Sequence, residues 1–139
     1  MIEAARPPEG YESILSNSPF GWENGPIFER KVEEGVQRGF RIAPRHINAG
    51  GALHGGMVMT FADILLATAV HAIAEPPFVT VRLTTDFVGP AFEGEWVEGT
   101  AEAEPPVDGI IAVRGLIQVD ERSVASVQGL FKAMVRTNK

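Results

Sequence analysis

Asp63 is the single charge in the apolar run MVMTFADILLATAVHAIA, which fills positions 57–74. A carboxylate among apolar neighbours is costly unless it is paired, and desolvation tends to raise its pKa and its basicity. Such a group can act as a general base towards water or as a direct nucleophile. It can equally be a structural aspartate that hydrogen-bonds a loop. Eight residues earlier, Gly55 and Gly56 stand where a helix over 57–74 should begin. The first N–H groups of a helix lack intrahelical partners and carry the positive end of its dipole, which suits a developing oxyanion. Without side chains, glycines let another molecule approach that backbone, although the same pair can simply shape a tight turn. Asn48 offers an amide that can orient water or a carbonyl, or can satisfy a turn. His46, His54 and His71 have no HxH or HExxH spacing, and Asp63 is eight or more residues from each, so no metal site is read from them. No GxSxG elbow, P-loop or dinucleotide fingerprint occurs.

The element that must carry Asp63 is a helix of about five turns over 57–74. Its Ala, Leu and Met favour that state, and its apolar residues occupy every face, the pattern of a buried helix. Asp63 shares its own face with Met59, Thr60, Leu66 and Ala67, none of which would neutralise it. Before the helix, residues 27–43 read as a hairpin turning at Gly35, with alternating polar and apolar positions. Residues 1–26 form an arm rich in Pro and Gly, with a short helix expected near Tyr11 to Leu15 and a turn-rich SNSPFGWENGP run carrying Phe20 and Trp22. Pro76 and Pro77 end the helical region. The run FVTVRLTTDFV, from Phe78, then reads as a strand. Simple alternation puts Val79, Val81, Leu83, Thr85 and Phe87 on one face, with Thr80, Arg82, Thr84 and Asp86 on the other. Three further strands are expected, near 95–103, 110–119 and 124–135, joined as hairpins. The order of two strands, one long helix and four strands predicts a single α+β domain over 1–139, its antiparallel six-stranded sheet wrapped around the helix.

The bulk properties narrow the function. At 139 residues with 45% hydrophobic and 22% charged, the chain is that of one soluble globular domain. The net charge of −6, without a basic block, argues against nucleic acid. The absence of cysteine excludes disulfides, thiol catalysis and cysteine zinc sites. No signal peptide is read at the N-terminus. The segment 57–74 nears the length of a membrane span, but Asp63, His71, its small alanines and the lack of flanking Lys or Arg point away from one. A soluble, cytoplasmic protein is expected.

Taken together, N48-A-G-G-A-L-H54-G55-G56 followed by Asp63 resembles the motif of hotdog-fold acyl-CoA thioesterases of the phenylacetate-pathway (PaaI-like) type. The resemblance covers about residues 27–136 in the same order of strands and helix. It implies hydrolysis of an acyl-CoA or aroyl-CoA thioester to free acid and CoA, without a cofactor or metal. By that resemblance Asp63 is the general base or nucleophile, and Gly55 gives its N–H to the thioester oxygen. Asn48 positions the water or carbonyl, His54 helps hold the thioester group, and Thr80 supplies a hydroxyl near the attacking water. The resemblance also implies a homo-oligomer, a dimer or a dimer of dimers, in which Asn48 and Gly55 face Asp63 of a second subunit. A helix apolar on all faces, which one six-stranded sheet covers only in part, leads to the same expectation. One departure stands out: the turn E104-P-P-V-D-G-I-I has no basic residue, where many relatives carry one that can contact CoA. Arg82, Arg114, Lys132 and Arg136 are the remaining candidates. A hydratase or dehydratase acting on acyl thioesters, or a non-catalytic module that binds them, is the alternative.

Overall fold

The computed structural model describes residues 6–14, 18–33 and 35–134. Its elements are β1 (Glu12–Ser13), α1 (Pro19–Asn24), β2 (Phe28–Val32), β3 (Gly35–Arg41), a 3-10 turn (Pro44–His46), α2 (Gly55–His71), β4 (Phe78–Phe87), β5 (Trp96–Ala103), β6 (Ile110–Val119) and β7 (Arg122–Ala133). The strands form one sheet in the order β1-β2-β3-β5-β6-β7-β4, every pairing antiparallel. The expected wrap of a sheet around one long helix is present, and this is the hotdog fold. The six expected strands are joined by a seventh, the two-residue β1.

Close approach of sheet and helix sets the curvature. A Cβ on Gly99 of β5 would lie 2.6 Å from Leu65, and one on Gly129 of β7 would lie 2.9 Å from Leu66. On β6 between them, a Cβ on Gly115 would lie 3.3 Å from Leu66. Leu65 and Leu66 therefore sink into a groove that larger residues would fill. Around them Phe40, Phe61, Val70, Val97, Ile111 and Phe131 are buried in one core. The guanidinium of Arg38 on β3 is also buried, donating through Nη1 to the Ile64 carbonyl at 2.9 Å and facing Glu29 at 3.4 Å.

The N-terminal arm differs from its expected form. Glu12 and Ser13, placed in a short helix by the sequence, are extended and pair with Glu29 and Phe28; Leu15 lies outside the described residues. Pairing with an existing edge is open to a segment too short to gain from helix formation. The run read as a turn instead holds α1, capped by Ser18, whose side chain accepts the Gly21 N–H at 3.0 Å, with Pro19 opening the first turn. Tyr11 then packs edge-on against Trp96 at 4.8 Å, on the outer face of the sheet.

The organising helix begins two residues earlier than expected and stops at His71. Seven of its residues are buried, but Met59, Thr60, Asp63, Ile64 and Ala67 lie half-buried along a side the sheet leaves open. Asp63 is thus not sunk in the core, as apolarity on every face implied. Periodicity reports how many faces are apolar, not whether the chain itself covers them.

Candidate active site

Local sequence explains how α2 starts. His54 is the N-cap in extended conformation, and its Nδ1 accepts the Gly56 N–H at 2.8 Å. Its carbonyl accepts from Met57 and Val58. A Cβ on Gly56 would stand 3.0 Å from that Nδ1, so the cap fits glycine there. The Gly55 N–H has no acceptor among the described residues. It is the unpaired donor at the positive end of a seventeen-residue helix. Beside it lies a cavity of about 300 Å³, lined by Leu53, Val58, Phe87, Pro90 and Val124 among others, all with apolar or no side chains. The Phe87 ring sits 3.4 Å from where a Gly55 Cβ would be.

Asn48 shapes the loop that leads there. Its Oδ1 accepts the Gly50 and Ala52 N–H groups at 2.9 and 3.1 Å, and its own N–H donates to the Ala52 carbonyl at 2.8 Å. The carbonyl end of the side chain is therefore spent on the turn, and Nδ2 makes no hydrogen bond among the described residues.

Asp63 meets Thr80. The Thr80 hydroxyl donates to Asp63 Oδ1 at 2.7 Å, a short bond of the charge-assisted kind. Alternation alone put Thr80 on the face away from Leu83, Thr85 and Phe87. The register shows why it lies on theirs. Thr80 sits opposite Phe131 and Leu83 opposite Gly129, while Val81 is an extra residue between them, a β-bulge. Directly opposed residues share a face, so one inserted residue reverses the parity of everything before it. The bulge turns Thr80 inward onto the helix.

The sites at Gly55 and Asp63 are separate within one chain. Eight residues of helix at 1.5 Å each put them about 12 Å apart along the axis. His71 lies at the far end of α2, its ring edge-on to Phe78 at 4.7 Å. His46 is buried in the 3-10 turn before the loop. Its Nδ1 accepts the Ala43 N–H at 2.9 Å, so the ring proton is on Nε2, which donates to the Asn24 carbonyl at 2.6 Å. No feature of the sequence marked His46 off from the other two histidines.

Burial holds the His46 imidazole below the ordinary histidine range; the Asn24 contact opposes this and the Arg45 charge adds to it. The unfolded chain takes up this proton near pH 6.5, whereas the folded protein resists until lower pH. Between those values the unfolded state binds more protons, so stability falls as the pH drops. The contribution is fully present above about pH 6.5 and is lost as pH falls from there through the folded value. Melting temperatures from pH 8 to 5 should therefore decline more steeply for the wild type than for His46→Asn. Parallel curves would contradict this.

The fold is shared with thioesterases. A sequence profile of the thioesterase superfamily matches residues 50–104, and the chain belongs to that superfamily. PA0474, a candidate esterase of Pseudomonas aeruginosa, is 35% identical over 127 residues, which cover 89% of this chain and 95% of that protein. Among solved structures, the Escherichia coli PaaI protein of the phenylacetic acid degradation operon superposes with a TM-score of 0.75 at 22% identity, covering 87% of this chain and 88% of that one. The Bacillus halodurans protein BH2602, solved with CoA, gives 0.71 at 22% identity over 78% and 74%. At these identities the two structures speak for the fold.

Proposed function

We propose that the protein hydrolyses an acyl- or aroyl-CoA thioester to free acid and CoA, in a cytoplasmic homo-oligomer whose sites lie between subunits. The observation that carries this reading is the unpaired Gly55 N–H opening beside an all-apolar cavity. A thioester carbonyl oxygen at that N–H takes on negative charge as its carbon is attacked, and the helix end favours that charge. The acyl or aryl group then fills the cavity, whose lining offers no partner for a charged group.

The attack needs Asp63, and reacting atoms must come within about 3–3.5 Å of one another. Asp63 of the same chain is too far along the helix. An antiparallel second copy supplies one at the right depth. β4 invites that copy: it is a ten-residue edge strand, and Val79, Val81, Phe87 and Val88 beside it are 47%, 54%, 59% and 60% exposed. A long apolar edge is completed by a second strand. A twofold pairing of β4 with β4 also runs the two α2 helices antiparallel, so one helix start approaches the other's midpoint. There Asp63 either takes a proton from the attacking water or attacks the carbonyl carbon itself, forming an anhydride that water then opens. In both routes the thiolate of CoA leaves and is reprotonated. The Asn48 Nδ2 donors steady the water or carbonyl, His54 holds the loop against the thioester, and the Thr80 hydroxyl fixes the carboxylate. The BH2602 structure holds CoA. Here Arg114 is paired with Glu102 and Glu104, which leaves Arg82 and Lys132 for CoA phosphates, neither in a salt bridge among the described residues. Arg136 lies outside them.

A panel of acyl- and aroyl-CoA esters read by free thiol tests the reading, and a chain without cysteine adds no background. Turnover of apolar acyl groups is expected, with dicarboxylic acyl groups poor; no thiol release above the uncatalysed rate would end it. Thr80→Val, which keeps the shape and removes the donor, should lower kcat about tenfold, or about 1.4 kcal/mol. An unchanged kcat would make the Thr80 bond a packing detail.

A further inference from the structure

His46 is buried, makes two side-chain hydrogen bonds and takes no part in the proposed chemistry. Its contacts join three segments. The ring accepts from Ala43 at the exit of β3, donates to Asn24 at the end of α1, and lies edge-on to Phe40 at 5.2 Å. Its main-chain carbonyl accepts the His54 N–H at 2.8 Å, and His54 is the residue that caps α2. Next to it, the Arg45 guanidinium donates to the Gly25 carbonyl, a second tie to the same end of α1. The loop between His46 and His54 carries Asn48, and the residue after it is Gly55.

We infer that His46 is a positioning residue for thioester hydrolysis: its ring and carbonyl clamp the 43–54 segment between α1 and α2 and so fix where the Asn48 amide and the Gly55 N–H stand. The inference rests on the hydrolysis proposed above. α2 alone fixes neither donor, because Asn48 precedes the helix and the Gly55 N–H lies in the peptide it shares with His54, the cap outside the helix. A donor displaced by about 1 Å from a developing oxyanion can lose 10²-fold in rate. The effect falls mainly on kcat: of the apolar lining of the cavity only Ala52 and Leu53 belong to the clamped segment, while Val58, Phe87, Val88, Pro90 and Val124 stand outside it.

The test compares His46→Phe, which keeps the planar ring without its nitrogens, with His46→Asn, whose Oδ1 can still accept the Ala43 N–H. In His46→Phe, kcat per folded molecule should fall about tenfold or more with KM changed less than about threefold, and in His46→Asn kcat should recover to within about threefold of wild type. Amide exchange should rise in the 44–56 segment of His46→Phe and return towards wild type in His46→Asn. If the phenylalanine variant does not fold, His46→Gln replaces it: Gln reaches the Asn24 carbonyl but sets no acceptor at the Nδ1 position, and the same loss of kcat is expected. Wild-type kcat with only a lowered melting temperature would make His46 a plain core residue and overturn the inference, as would equal losses in the phenylalanine and asparagine variants. A wild type that releases no thiol from any ester would end the proposed function, and this inference with it.

Discussion

Asp63→Asn should fold as well as the wild type and hydrolyse thioesters about 10²-fold more slowly or worse. The amide keeps the shape of the carboxylate, and its oxygen still accepts the Thr80 hydroxyl. What it loses is charge and basicity, and with them both the general-base and the nucleophile routes. Because Asp63 lies half-buried beside the open edge of the sheet, removing its charge should leave the melting temperature nearly unchanged or slightly raised. A structural aspartate predicts the reverse: a lowered melting temperature, with activity lost only in proportion to folded protein. Turnover and melting measured on one preparation separate the two. Wild-type hydrolysis by a well-folded Asp63→Asn protein would refute the chemistry proposed.

Gly55→Pro should cost about as much, on the order of 10²- to 10³-fold in kcat, because it deletes one preorganised donor. The substitution is unusually clean at this position. Gly55 is the first residue of α2, where proline is favoured and its missing N–H breaks no helical bond. The preceding residue must be extended, and His54 already has φ −65 and ψ 134. Gly55→Ala is the control. It keeps the N–H and adds a Cβ 3.4 Å from the Phe87 ring, an ordinary contact against an exposed side chain. Alanine should retain most of the activity that proline loses. Equal losses in both variants would mean that space beside Phe87, not the N–H, is what the position needs.

How far the sequence carried these residues depended on what each one signals locally. Gly55 before a helix and Asp63 within it were legible because a charge in an apolar run and glycines at a helix start are anomalies at short range. The hairpin of β2 and β3 followed from alternation, and the strands β5 to β7 from the turns that join them as hairpins. Thr80 did not: alternation put it on the outer face, and the bulge at Val81 that turns it inward leaves no mark in composition. It was named only through family resemblance. The trio Gly99, Gly115 and Gly129 reads as three unrelated weak points in three strands, and only the register brings them over Leu65 and Leu66. His46 looked like the other histidines, since its partners Asn24 and Ala43 are set by tertiary packing. Partial cover of α2 was expected, but not that the open side is the one carrying Asp63, because an uncovered apolar face has the same composition as one covered by the sheet.

That shared site is the centre of the account, and mixing the two disabled proteins tests it most directly. Asp63→Asn and Gly55→Pro are each expected to be inactive alone. If one site takes Gly55 from one subunit and Asp63 from the other, a mixed dimer has one site with both residues intact. Random exchange of subunits should then restore about a quarter of wild-type turnover. Recovery at that level, dependent on subunit exchange, is the predicted result. No recovery in demonstrated mixed dimers would contradict the shared site, since two residues acting within one chain cannot complement across subunits.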